Sequence, residues 1–485
     1  MKICQNLFLL FVIICISKTC LAQNLTPELE LASHWDGHSH EYQAPYNSLW
    51  GWTGSNGREY AIMGSLDSIY FFDVTNPYKI KLCDARAGRF NNCPNREFKT
   101  YKNYCYAVGD GTYSSLQIFD LSYLPDSVHK VYDEDTISSG SHSLFIDGER
   151  LYLSWNKMVH KGETDIPLTV VSLINPVAPT FIANLIAPKG GNGDAEFEYV
   201  HDLFVRNDTA YCCCGPGGLF IYNYKDPINP VLIQSITYYD NNPPSYTHSC
   251  WLSPDGNLLV FTDETQGEPV ELYDVSALKD TGAQRKYLKP VCVFGSHVAD
   301  RSTAHNAYMK GNLIYMSYYE DGAVVFDMSN VMIDSNVREI ASYDTYPQNA
   351  PGQYHGNIGC WNVYPFFTSG TIIASDMRNG LFVLRLDSVS FLDSNYFTCD
   401  SLNINILQNP FHGNINLTAS AVTPQNVNVG LYDMVGRKLY SSVYNCPIGT
   451  TSISIPCPEK LGGALILTVS SGNCHLTRKL VKMGD

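Results

Sequence analysis

The sequence predicts an all-β protein, a seven-bladed β-propeller followed by a small β-sandwich. One phrase recurs, as "SHSLFID" at 141–147, "YVHDLFV" at 199–205, "THSCWLS" at 247–253 and "AHNAYMK" at 304–310, and three more strand-like runs follow each copy. Further copies begin at Asn47, Arg96 and Asn357. Seven first strands at intervals of roughly 45 to 60 residues match the repeat of a four-stranded propeller blade. Helical signal is nearly absent: no long stretch carries a 3.6-residue apolar period, and β-branched and aromatic residues fill the periodic segments.

Read in order, the chain opens with Lys2, an apolar run from Leu7 to Ile16, and Cys20-Leu21-Ala22 before Gln23, the pattern of a cleaved secretory signal over residues 1–22. The run is too short for a membrane span of roughly 20 residues, and the residues ahead of Cys15 and Cys20 make no lipobox. The propeller is expected over 27–388. Its unit is plainest at 201–239, where "HDLFVRND", "TAYCCCG", "GLFIYNYKDPINP" and "VLIQSITYY" are bounded by Gly, Pro, Asn or Asp, as strands usually are. The last copy supplies only three strands. "PELELASHW" at 27–35 resembles the fourth-strand runs and is expected to complete that blade, removing an exposed edge. Asp73, Asp274 and Asp327, just past third strands, read as turn makers. A polar linker at 389–401 leads to a second β-rich domain at 402–485.

Lys+Arg 32 against Asp+Glu 47 gives a net charge of −15, and losing Lys2 and Lys18 with the signal takes it to −17. That balance repels polyanions, and no basic stripe for nucleic acid is present. Removing Cys4, Cys15 and Cys20 from the 16 cysteines leaves 13, an odd count that forbids complete internal pairing. Some disulfides are expected in an exported chain. Cys212-Cys213-Cys214 sits in an alternating context and reads as a buried strand in which cysteine is a small hydrophobe, because neighbouring strand residues face opposite sides.

In a propeller the first strand of each blade lines the channel, and the loop between second and third strands returns to the face where that strand begins. His142, His201, His248 and His305 are therefore expected to ring one mouth. Asp202 and Asn306 lie beside them, and Asp263, Glu264, Glu320, Asp321 and Asp376 arrive on the loops. Three readings stay open. One is an architectural ring that satisfies backbone groups at strand ends; another is a divalent-metal site, since imidazole and carboxylate suit zinc, manganese or iron; the third has His with Asp or Glu as base and acid, with Arg378 or Arg301 steadying an anionic group. A functional ring is expected to titrate near the ordinary imidazole value of about 6.5. His142 is the weakest member, because the following loop in its blade, Trp155-Asn156, offers no carboxylate. Trp50, Trp52, Trp251, Trp361 and Tyr364 near inner strands read as packing between blades rather than sugar platforms. His34, His38 and His40 read as a solvated loop rather than a metal-binding tract.

Two resemblances add to this reading. "NPFHGNINL" at 409–417, "VGLYDMVGRKLYS" at 429–441 and "RKLVKM" at 478–483 resemble the type A sorting domain of the type IX secretion system of Bacteroidetes. The resemblance implies export across the outer membrane and removal of the domain, with release or attachment to lipopolysaccharide. It also implies recognition of Gly436-Arg437-Lys438, Lys479 and Lys482 by the secretion machinery. The repeats are similar to the choice-of-anchor B family with its LVIVD-type repeats, through "YNSLWGW" at 46–52, "YVHDLFV", "YTHSCWL" with "FTDE", "AHNAYMKGNLIYMSYYEDGAVVFD" and "NVYPFFTSGTIIASDMRNGLFVL" at 362–384. Arg96-Glu97 and Tyr354-His355-Gly356 depart from that pattern. This likeness implies the propeller fold and a surface location.

The resulting expectation is a secreted or cell-surface binding or scaffold protein of unknown ligand, with a surface glycan or protein as partner class and no nucleic acid. The alternative is a metal-dependent hydrolase or lyase using the same mouth, with a divalent metal as its cofactor.

Overall fold

A computed structural model describes residues 29–37, 44–111, 113–238, 244–279, 288–297, 301–349, 354, 356–386, 396–399, 402–407, 411, 413–433, 437–457, 463–472 and 474–482. The signal read over 1–22 lies outside them, as does most of 389–401.

Seven four-stranded antiparallel sheets follow one another along the chain. The first strands of blades 1 to 7 are Tyr46–Thr53, Arg96–Tyr101, Ser143–Asp147, Asp202–Arg206, Thr247–Leu252, Ala304–Lys310 and Cys360–Tyr364. Each touches the first strand of the next blade, and that of blade 7 touches that of blade 1, so the ring closes. Exposure follows position within a blade. In blade 1 the second strand, Glu59–Ser65, is buried throughout, while the fourth, Lys81–Ala87, is half-buried or exposed. Apolar clusters fill the spaces between blades; the one joining blades 1 and 7 contains Tyr46, Leu49, Phe72, Ile373, Leu381 and Val383.

The seventh blade is completed from the other end of the chain. Leu29–Trp35 pairs antiparallel with Gly380–Leu386, from Leu29↔Leu386 to Trp35↔Leu381. The pairing carries a bulge between Leu31 and Ser33, and the third-to-fourth strand pairing of every other blade is interrupted in the same place. A bulge increases local twist, and here it turns each outer strand around the blade. Glycine opens the third strand at Gly218, Gly322 and Gly380, with φ of 95°, 84° and 85°. A Cβ at Gly322 would lie 2.1 Å from the Tyr343 carbonyl oxygen of the outer strand, so neither the backbone angle nor the space admits a side chain.

The C-terminal region forms two four-stranded sheets, one containing Leu402–Ile406 and the other Gln425–Asp433, around Ile404, Leu417, Val429, Leu467 and Leu480. Its first strand, Tyr396–Cys399, falls within the stretch read as a linker, because it pairs with Leu402–Ile406. Cys212, Cys213 and Cys214 are buried free thiols, pushed well up by burial. The expected disulfides are not seen among the cysteines whose side chains are described, from Cys83 to Cys457, all of which are free. Buried inner strands use most of these side chains as apolar filling.

Candidate functional site

The recurring histidines come together. Ring centroids are 4.0 Å apart for His142 and His201, 4.5 Å for His201 and His248, and 4.2 Å for His248 and His305, one continuous row across blades 3 to 6. In blades 5 and 6 a bulge places the imidazole. Thr247 pairs with Asp263 and Cys250 with Phe261, so His248 and Ser249 together oppose Thr262 alone; His305 and Asn306 likewise oppose Ser317. A two-against-one bulge releases a residue from strict alternation, and two consecutive polar residues can then face the channel side of one blade.

The two nitrogens of each ring do different work. Nδ1 of His248 lies 3.1 Å from the His305 carbonyl oxygen, and Nδ1 of His305 lies 2.5 Å from that of Trp361. A carbonyl only accepts, so both Nδ1 atoms carry the proton and both Nε2 atoms present lone pairs. The same carbonyls accept from Ser249 Oγ at 2.9 Å and Thr262 Oγ1 at 2.7 Å, and from Ser317 Oγ at 3.0 Å. The inner strands of adjacent blades are thereby laced together. The architectural reading therefore holds at Nδ1 and leaves Nε2 available.

His201, His248 and Glu264 each place a donor atom within 4.8 Å of the others. Nε2 of His248 is 3.5 Å from Oε2 of Glu264. The other oxygen of Glu264 accepts from Tyr319 Oη at 2.6 Å and from Asn357 Nδ2 at 3.1 Å. The His201 ring is buried beside the backbone of His248. Burial, reinforced by neighbouring imidazoles, pushes His201 well below the ordinary histidine value, although an interaction with the His248 backbone opposes it. Burial first, and then neighbouring histidines, lowers His248 and His305 to about 3. The expectation of titration near 6.5 is corrected for these two: taking a charged imidazole out of water costs more than its surroundings return.

His142 has a carboxylate after all, supplied by the preceding blade. Asp110, just past the second strand of blade 2, accepts from His142 Nδ1 at 3.0 Å and from Lys157 Nζ at 2.8 Å. Burial opposes ionisation of Asp110, but the hydrogen bonds and charges of His142 and Lys157 hold it well below the usual carboxylate range. Asp110 in blade 2 and Glu264 in blade 5 both follow the last residue of a second strand, Gly109 and Asp263. Aligning the second-to-third loops would have revealed the pair.

Other sequence-singled residues are engaged elsewhere. Asp263 Oδ2 accepts the backbone N–H groups of Ser245 and Tyr246 at 2.9 and 2.8 Å, shaping the loop before the blade. Asp376 accepts from the N–H groups of Arg378 and Asn379, both at 2.9 Å, and from Thr345 Oγ1 at 2.8 Å, which makes it a turn residue and gives Arg378 a place in that turn. Asn306 Nδ2 reaches the Trp361 carbonyl at 3.2 Å. Asp321 is held by Ser302 and Tyr354. Glu320, buried in the turn Tyr319–Asp321, lies outside the three-donor group, and Arg301 is exposed. Asp202 accepts from Ser143 Oγ at 2.7 Å and lines a small cavity with Lys99, Phe145, Trp251 and Tyr308. Lys99, missed by sequence reading, lies with Nζ 4.1 Å from the Trp50 ring centre; burial lowers its pKa against the pull of Glu97 and Asp202.

Trp251 packs on Tyr308 and Phe366 at 4.9 and 5.3 Å, and Trp50 on Tyr364 at 5.0 Å, so these rings are packing between blades. His34 contacts the Asn379 carbonyl at 2.5 Å and Phe382 at 4.3 Å, within the closing strand rather than a loop. His38 and His40 lie outside the described residues.

The chain is thus a closed seven-bladed propeller with a row of four histidines across blades 3 to 6, followed by a β-sandwich. Residues 405–483 of that sandwich match the secretion system C-terminal sorting domain family. The protein is accordingly a secreted or cell-surface protein, delivered by type IX secretion. No helix among the described residues is long and apolar enough to cross a membrane. No curated protein matches the chain. Among solved structures, a protein from Lactobacillus plantarum is 13% identical, covering 84% of this chain and 99% of that one, with a TM-score of 0.48. A Bacteroides uniformis protein assigned only provisionally as a 6-phosphogluconolactonase is 13% identical over 85% of this chain and 100% of its own, with a TM-score of 0.46. The computationally designed Ika8 protein is 10% identical, covering 73% and 99%, with a TM-score of 0.44.

Proposed function

We propose that this chain is an exported binding propeller, a member of the choice-of-anchor B group with LVIVD-type repeats, that captures its ligand at the histidine-lined mouth. The observation that carries the reading is the unbroken row of four imidazoles on consecutive blades. Burial keeps His201, His248 and His305 neutral, and the tautomers of His248 and His305 leave Nε2 lone pairs beside Glu264. Such a row offers electron pairs, so it suits a ligand that accepts them: a cation or a group rich in hydrogen-bond donors. The enzymatic alternative, a metal-dependent hydrolase or lyase, is favoured only by the number of donors, since three protein ligands are what hydrolytic metal centres use while keeping one position open.

Native mass spectrometry of the protein recovered from the culture medium tests the binding reading. The parent is expected to carry mass beyond its polypeptide, and a variant with His142, His201, His248 and His305 all changed to Asn is expected to lose it. A parent without any adduct, or an adduct retained by the fourfold variant, would refute capture at the mouth.

A further inference from the structure

The side-chain pair at the centre of the mouth poses an electrostatic problem. Nδ1 of His248 is committed as a donor to the His305 carbonyl, so Nε2 of the neutral ring is a lone pair, and it faces a carboxylate oxygen of Glu264 at 3.5 Å. Nε2 and the carboxylate oxygen can face each other this closely only with a proton or a cation between them. Glu264 cannot turn away freely, because Tyr319 and Asn357 hold its other oxygen. His201, 4% exposed, adds a third donor atom. A divalent cation among the three donor atoms, all within 4.8 Å of one another, satisfies them together.

We propose that His201, His248 and Glu264 form a three-donor centre for one divalent transition-metal ion, with zinc as the ion best matched to two imidazoles and a carboxylate. This rests on the mouth-capture reading and names the ligand class. Two donors bound tetrahedrally at about 2.1 Å lie about 3.4 Å apart, and the His248–Glu264 pair stands at 3.5 Å. The supporting shell is already built. The His305 carbonyl fixes the His248 tautomer, and Tyr319 and Asn357 orient Glu264, the role that outer hydrogen bonds play around metal ligands. His201 immediately precedes the inner strand of blade 4, His248 lies near the start of that of blade 5, and Glu264 follows the second strand of blade 5, so all three donors sit at strand ends. Three protein ligands leave a coordination position for water or a captured group.

The test is cobalt(II) titration of the full-length protein after chelator treatment, read by visible d–d absorption and by metal content. One equivalent is expected to bind to the parent, and His201→Ala and Glu264→Gln are each expected to weaken binding by more than about 100-fold. Tyr319→Phe keeps the ligand and removes its positioning hydrogen bond, and is expected to weaken binding by about 10–100-fold with the fold intact. His34→Ala, outside the mouth, is expected to bind as the parent does. Absence of stoichiometric uptake by the parent, or uptake that survives both ligand substitutions, overturns the proposal. If a ligand variant does not fold, a folded Tyr319→Phe protein with parental affinity overturns it as well. An organic adduct in the native mass spectrum without metal uptake would sink the metal centre and leave mouth capture standing; no adduct and no uptake would sink both.

Discussion

His248→Asn separates the two jobs of one side chain. Asparagine can place its Nδ2 near the position of the histidine Nδ1, so the hydrogen bond to the His305 carbonyl can persist, while the atoms corresponding to Nε2 and Cε1 disappear. That carbonyl also accepts from Ser249 and Thr262, so it remains satisfied even if the amide turns away. The stability cost is then the void left by two ring atoms between His201 and His305, whose centroids lie 4.5 and 4.2 Å from that of His248. Roughly 40 Å³ at about 24 cal/mol per Å³ gives about 1 kcal/mol, a melting shift on the order of 2 °C for a domain of this size. Ligand uptake behaves differently. Loss of a direct donor is expected to exceed the roughly 10–100-fold that loss of an outer partner costs. The assay is thermal melting beside zinc competition titration on the same preparation. A variant that binds zinc as the parent does, or one that melts many degrees lower, would refute the division of labour between the two nitrogens.

Three further outcomes follow from particular contacts. Burial raises Asp376 to about 7, above the ordinary carboxylate value near 3.9, so its contribution to stability is complete below that value and is lost as pH rises through 7. The loss is on the order of 4 kcal/mol; Asp376→Asn should therefore flatten the stability difference between pH 4 and pH 8 in denaturant titrations, and parallel curves for parent and variant would contradict the assignment. Gly359 has φ of 118°, and a Cβ there would lie 2.0 Å from the Tyr319 carbonyl oxygen; Gly359→Ala should cost about 1–3 kcal/mol and, by moving Tyr319 off Glu264, weaken ligand uptake, whereas a parental melting curve would count against it. Removing residues 396–485 should leave a folded propeller retained in the periplasm, because the matched sorting domain is gone; delivery of the shortened chain to the medium would contradict that dependence, with cell fractionation as the readout.

The amino-acid sequence by itself determined the architecture. Blade repetition is a local property: each unit carries its own alternating apolar runs and turn residues, and seven units with one missing outer strand leave "PELELASHW" as the completing strand. The sorting domain was legible for the same reason, since its motifs are contiguous. Even the histidine row was foreshadowed, because one position repeated around a closed ring must converge in space.

The roles of those histidines were decided only by tertiary structure. Whether an imidazole is architecture or ligand depends on which nitrogen meets a carbonyl of the next blade, and the partners of His248 and His305 lie 57 and 56 residues away in sequence. Asp110 answers His142 from the preceding blade, and Tyr319 and Asn357 position Glu264 from the blades that follow. The same holds for the carboxylates that sequence could not tell apart: Asp263 gives one oxygen, and Asp376 one, to backbone N–H groups, Asp376 gives its other to Thr345, and Glu264 has one oxygen beside His248. Strand periodicity is set by neighbours along the chain and can be read from them. Tautomer, desolvation and donor geometry are set by neighbours across blades, which no local pattern encodes.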